Sequence, residues 1–151
     1  MADLTSDTFD DGERIPDRYG YERDNVNPPL EIEDPPEEAE TFALIVDDPD
    51  AVEPAGKVWE HWIVWNVPSE QTEIPENWDP DDAGAYEATN DYGETGYGGP
   101  KPPDREHTYR FTVFALNNTL ELDDDPDADE LRDAMEGHVI SQATLEGAYP
   151  A

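Results

Sequence analysis

Every strong apolar run in this chain is short, and each is bounded by residues that cannot continue a helix. Thr41 to Val46 (Thr-Phe-Ala-Leu-Ile-Val) runs into Asp47-Asp48-Pro49-Asp50. Trp59 to Val67 is closed by Pro68, and His107 to Leu116 follows a stretch holding Pro102 and Pro103. Short runs rich in β-branched and aromatic side chains, stopped by Pro, Gly and Asp, read as buried strands. Fifteen prolines and ten glycines leave little room for long helices. The predicted fold class is mainly β.

The rest of the chain fits that reading. Up to about Pro36 there are only short apolar anchors, Phe9, Ile15, Tyr19, Leu30 and Ile32, and Pro28-Pro29 and Pro35-Pro36 bar helix. Residues 69 to 106 read mostly as loop, broken by Tyr97-Gly98-Gly99-Pro100. Ala128 to Gly137 is the one fair helix. Leu131, Ala134 and Met135 share a face, acids occupy its start and Gly137 suits its end. Ile140 to Tyr149 reads as a last strand, with a continuation of the helix as the alternative. There is no internal repeat, and 151 residues suit a single domain spanning 1–151.

The formal net charge is −32, from 40 acidic and 8 basic residues. Disorder, an acidic decoy and adaptation to molar salt could each give such a balance. Disorder conflicts with the apolar runs and with four Trp, seven Tyr and four Phe available for a core. A decoy should carry its charge in one block, whereas here acids spread along the chain and pause at the apolar runs. Salt adaptation, a halophilic type, remains, because at about 1 M salt the Debye length is about 3 Å and surface acids hardly repel one another. Acid runs such as Glu37-Glu38 and Asp123-Asp124-Asp125 read as solvated surface. Without a basic stripe the chain is not expected to bind nucleic acid.

There are no cysteines, which removes disulfides, zinc–thiolate sites and thiol nucleophiles. The first residues have neither a basic region nor an apolar stretch, so no signal peptide is read there. The apolar runs are too short to span a bilayer. The expectation is a soluble cytoplasmic protein without stable membrane insertion.

Histidine is scarce: His61, His107 and His138. Strand alternation puts His61 on one face with Trp59, Ile63 and Trp65, and His107 on one face with Tyr109. Asp48 ends a strand in a tight turn. If these strand ends meet, two imidazoles, a phenol and a carboxylate converge. Imidazolium and phenol are donors suited to phosphate or carboxylate, and an adjacent carboxylate fixes a histidine's tautomer. The alternative reading is that both histidines are core residues with satisfied hydrogen bonds. Trp59, Trp62 and Trp65 read first as core aromatics.

Several segments, taken in order, resemble the phosphatidylethanolamine-binding proteins, in particular the bacterial and archaeal Raf-kinase-inhibitor-like branch. They are Asp48-Pro49-Asp50-Ala51, His61-Trp62-Ile63-Val64 with Asn66 and Pro68, Gly96-Tyr97-Gly98-Gly99-Pro100 with Pro102-Pro103, His107-Thr108-Tyr109-Arg110-Phe111, and Gly137-His138-Val139-Ile140. Phe9, Asp11-Gly12, Ile15-Pro16, Asn25 to Pro28 and Leu30 extend the resemblance to nearly the whole chain. It implies a β-sandwich core with one or two peripheral helices and an anion pocket at one end of the sheet. It assigns Asp48, His61, His107 and Tyr109 to that pocket, Tyr97 and Pro100 to a bordering loop, and Trp59 to the wall. The chain departs from the family pattern at Val52, where a turn proline is usual, at Arg105-Glu106, where a glycine is usual, and at Thr108, where an arginine is usual. The last change puts a supporting salt bridge to Asp50 in doubt.

The function expected first is binding of a small anion, a phosphorylated head group or a metabolite, with protonated histidines supplying attraction and no cofactor. A second reading is an inhibitor acting on a protease or kinase through its surface. A third is a metal-assisted hydrolase using Asp48, Asp50, His61 and His107. The only serines, Ser6, Ser69 and Ser141, sit in no nucleophile motif, so an enzyme is not the preferred reading. The resemblance is compatible with a monomer or a homodimer.

Overall fold

A computed structural model describes residues 2–122 and 125–150. Eight strands form: β1 (Asp3–Thr5), β2 (Leu30–Glu33), β3 (Thr41–Asp48), β4 (Trp59–Pro68), β5 (Glu73–Ile74), β6 (Tyr86–Glu87), β7 (His107–Leu116) and β8 (Val139–Tyr149). Among the described residues there are two short α-helices, α1 (Val52–Ala55) and α2 (Ala128–Met135), besides three single 3-10 turns. The five-stranded sheet has the order β6-β4-β3-β7-β8 and the three-stranded sheet the order β1-β2-β5, with each strand pairing antiparallel. The mainly-β expectation is met, and the tail is strand rather than helix. Glu37, Glu38 and Asp125 are exposed, while Asp123 and Asp124 of the same acid run lie outside the described residues.

Strand alternation divides the large sheet into two apolar faces. Phe42, Leu44 and Val46 of β3 and Phe111 and Val113 of β7 meet Leu4, Leu30, Ile32 and Ile74 of the small sheet, forming the sandwich core. On the opposite face Ala43, Ile45, Ile63 and Trp65 pack under Leu131 and Met135 of α2. Both faces of β3 are therefore covered, which is why its sequence is a continuous apolar run. A capping box starts α2: the Asp127 carboxylate accepts from the Glu130 amide, and Glu130 accepts from the Asp127 amide. Leu131 is fully buried beneath it, which contributes roughly 1.5–3 kcal/mol. The chain leaves the helix through Gly137 at φ +81°, a left-handed conformation that glycine adopts without a Cβ clash.

One irregularity in β4 corrects the alternation argument. Val46 pairs with Trp62 but Asp47 pairs with Glu60, so His61 is the extra residue of a β-bulge. A bulge re-aims side chains locally. His61 consequently turns away from the face of Ile63 and Trp65, to the side on which Trp62 enters the sandwich core. It keeps its predicted partnership with Trp59 and loses the other two.

Candidate functional site

The C-terminal end of β3, the start of β4 and the start of β7 lie side by side, because Asp48 pairs with Trp59 and Asp47 with Arg110. Their side chains bound a cavity of about 160 Å³ whose walls include Asp48, Trp59, His61, His107 and Tyr109. That volume is below the roughly 300–1,000 Å³ of pockets for drug-sized ligands, so it suits a small group. The five residues expected there on strands do converge.

His107 is fully enclosed and held at both nitrogens. Its Nδ1 donates to Asp48 Oδ2 at 2.6 Å and its Nε2 to Asp104 Oδ1 at 2.7 Å. Only an imidazolium can donate twice. Burial opposes that charge, but the bonds to Asp48 and Asp104 outweigh it and the pKa is raised. Asp48 is itself fixed by the turn that follows, where it accepts from the Asp50 amide at 2.9 Å.

His61 has the opposite character. Its Nδ1 lies 2.7 Å from the Gly98 carbonyl, which only accepts, so the proton sits on Nδ1 and Nε2 keeps a lone pair. Burial holds its pKa down at about 4, so the ring is neutral at pH 7. Tyr109 and Tyr92 meet it edge-on, with centroids at 5.2 and 5.6 Å.

Two donors on wall residues make no hydrogen bond of normal geometry, although the Asp48 carboxylate lies close to one of them, the Tyr109 phenol. Trp59 Nε1 and the Tyr109 hydroxyl are both buried and without a hydrogen-bond partner. Burial, reinforced by the charge and the hydrogen-bonding oxygen of nearby Asp48, pushes the Tyr109 phenol well above its usual pKa, so it keeps its proton. Buried polar groups are almost always paired, and an orphan costs about 1–3 kcal/mol. Both belong to side chains that line the cavity.

The Gly-rich loop is adjacent but acts through its backbone. Gly98 donates its amide to the His61 carbonyl at 2.9 Å, besides accepting from the His61 ring. A Cβ at Gly99 would lie 2.0 Å from the Tyr19 carbonyl oxygen, so only glycine permits this approach. Tyr97 and Pro100, expected at the border, do not line the cavity. The Tyr97 hydroxyl donates to the Tyr19 carbonyl and its ring packs edge-on against Trp62. Pro100 accepts from the Tyr21 amide and lines a neighbouring cleft. Their motif shapes the loop, and the side chains point elsewhere.

Several wall residues were not assigned to the pocket from the sequence. Tyr92, Lys101 and Pro103 come from the same irregular segment, and Pro54 from α1. Asp104, three residues before His107, belongs to no motif. The salt bridge put in doubt by Thr108 is replaced from upstream: Arg105 lies 3.7 Å from Asp50 Oδ1, and the Thr108 amide donates to Asp50 Oδ2. Asp50, His61, His107 and Asp48 do not form a ligand set, and among the described residues no three His, Cys, Asp or Glu side chains are grouped to hold a metal ion. His138 is remote, paired with Asn117.

A β-sandwich backed by a helix, with a small donor-lined cavity at the strand ends, defines the class; comparison with known proteins names the family. The sequence profile described as phosphatidylethanolamine-binding protein matches residues 5–150, and the chain belongs to that family. A UPF0098 protein of Methanothermobacter thermautotrophicus is 41% identical over 150 residues, covering 97% of each chain. A UPF0098 protein of Chlamydia pneumoniae is 38% identical over 148 residues, again covering 97% of each. The crystal structure of a putative phosphatidylethanolamine-binding protein homolog from Chlamydia trachomatis superposes with a TM-score of 0.91 at 36% identity, covering 98% of this chain and 96% of the other. E. coli YbcL, described as a new member of the mammalian family, gives 0.90 at 29% identity, covering 99% and 98%. Relatives thus come from both bacteria and archaea. Among the described residues no helix is long and apolar enough to cross a membrane.

Proposed function

We propose that the cavity binds an oxyanion, the phosphate of a phosphorylated head group or small metabolite. The observation that carries this reading is the pair of buried donors without partners, Trp59 Nε1 and the Tyr109 hydroxyl. A bound phosphate would bring acceptor oxygens to the wall that these two residues form. His107 Nε2 supports it further, because it already holds a carboxylate from Asp104, a half-exposed loop residue that a ligand oxygen can replace. The attraction expected from two protonated histidines is revised to one: His61 is neutral and serves as wall and acceptor. The cavity admits a head group and excludes acyl chains on volume alone. No Ser, Thr or Cys lines it, so an aliphatic hydroxyl or thiol nucleophile is not among the wall residues.

The test is calorimetric titration with phosphate and with phosphoethanolamine, comparing the wild type with Trp59→Phe. One-to-one binding weakened about tenfold or more by the substitution supports the reading, since hydrogen bonds to charged groups contribute about 1.5–3 kcal/mol. Equal binding by both proteins, or none, overturns it.

We also propose that the acidic surface is an adaptation to molar salt and that the protein works in a cytoplasm of that kind. The support is the 40-to-8 excess of acids over bases, the two lysines and the absence of cysteine.

A further inference from the structure

Eight basic residues are few enough to account for individually. Arg14, Arg18, Lys57, Arg105, Arg110 and Arg132 each lie within ion-pair distance of a carboxylate. Arg23 and Lys101 form no ion pair among the described residues, although acids outnumber bases 40 to 8. Together with Arg14 they line a cleft of about 390 Å³ whose other walls include Pro100, Pro102 and Tyr149. Among the described residues its acids are Asp17 and Glu22, and Asp17 is engaged by Arg14. Three cations against two acids reverse the charge balance of the rest of the molecule.

The cleft adjoins the cavity. Lys101 belongs to the walls of both. Its ammonium lies 5.7 Å from the Tyr21 ring centroid, and Tyr21 stacks at 4.0 Å on Tyr92, a cavity wall. The cation is therefore placed on the partition between the two spaces. In high salt, long-range attraction is lost and only contacts within a few ångströms retain value. Unpaired cations beside a small oxyanion pocket have that short range.

We propose that the cleft is a second anion subsite, and that the ligand is an organic molecule with two anionic groups: a phosphate in the cavity and a carboxylate or second phosphate against Arg23 and Lys101. The first half rests on the oxyanion reading of the cavity. Arg23 holds the second group, and Lys101 on the partition contacts both.

Two probes of similar size separate the claims. Glycerol 3-phosphate carries one anionic group, and 3-phosphoglycerate replaces its terminal alcohol by a carboxylate. Titrations in molar KCl should show 3-phosphoglycerate binding about tenfold tighter, the value of one charge-assisted contact. Arg23→Gln should remove that advantage and leave glycerol 3-phosphate binding unchanged, and Lys101→Gln should weaken both. Equal affinity for the two probes, or an advantage that survives Arg23→Gln, overturns the second subsite while leaving the cavity reading intact. Binding of 3-phosphoglycerate that depends on Arg23, with no binding of glycerol 3-phosphate and no effect of Trp59→Phe, keeps the cleft and overturns the cavity. If neither probe binds, both fall.

Discussion

Replacing Tyr109 by phenylalanine separates a ligand donor from a structural one. The ring is 1% exposed, and its hydroxyl makes no hydrogen bond of normal geometry, with Asp48 as the nearby acceptor. Phenylalanine keeps the ring and its edge-on contact with His61 and removes only the oxygen. An unpaired buried hydroxyl costs about 1–3 kcal/mol, so the ligand-free variant should be more stable than the wild type, by about 1 kcal/mol at the lower end. For a chain of this size that is a rise in Tm of about 2–4 °C. Phosphate affinity should move the other way. Losing one donor to a charged acceptor removes about 1.5–3 kcal/mol, at least tenfold in Kd. Urea unfolding without ligand and calorimetry with phosphate read the two effects on the same protein. A variant that is less stable than wild type by about 1 kcal/mol and binds phosphate equally well would refute the reasoning, because the hydroxyl would then have a structural partner.

Four further outcomes follow from the geometry. His61, neutral when buried with a pKa of about 4, should lose stability as pH falls from about 6.5 through about 4, roughly 3 kcal/mol in all, since the unfolded chain takes up the proton first; the pH slope of the urea midpoint should flatten in His61→Gln. Binding of sulfate, whose own charge is constant over the range, should weaken as pH rises above about 6.5 through the raised pKa of His107, measured by calorimetry at stepped pH. Glu60, pushed up to about 7 mainly by burial and with one oxygen unpaired, opposes folding as pH rises from about 4.5 through 7, so Glu60→Gln should raise Tm at pH 8 and change it little at pH 4. Lowering KCl from about 1 M to about 0.1 M lengthens the Debye length from about 3 to about 10 Å and should lower Tm by several degrees; a flat salt dependence would remove the case for salt adaptation.

The strands were legible where apolar runs met prolines and aspartates, because a sheet covered on both faces demands such runs. β7 spans His107–Leu116 as read from the sequence. β8 was harder, since β7 is its one neighbour in the sheet, the segment at Gly12–Ile15 bonds only its far end, and Val139 and Ile140 are left exposed, which blurs alternation. The site residues on strands were legible through the family resemblance, and the antiparallel register brings them together. The bulge at His61 was not legible: inserting one residue into a ladder leaves no periodic mark in so short a strand. Tyr92, Lys101 and Asp104 were missed for a related reason. They lie in a segment whose path is set by backbone contacts such as Gly99 against Tyr19, and no periodicity tells which way a loop side chain turns. Tyr97 and Pro100 failed in the converse way, because a motif can be required for the course of the chain without lining the site.

The central claim is that the cavity's unpaired donors await an oxyanion, and the Trp59 indole proton reports on it directly. Trp62 is an internal control, since its Nε1 already donates to Glu87 at 2.9 Å. Phosphate titration followed by nitrogen–proton NMR in molar KCl should move the Trp59 indole signal downfield to saturation while the Trp62 signal stays in place. If the Trp59 signal does not move, or all four tryptophans shift alike, no oxyanion binds at these donors and the account of the cavity is wrong.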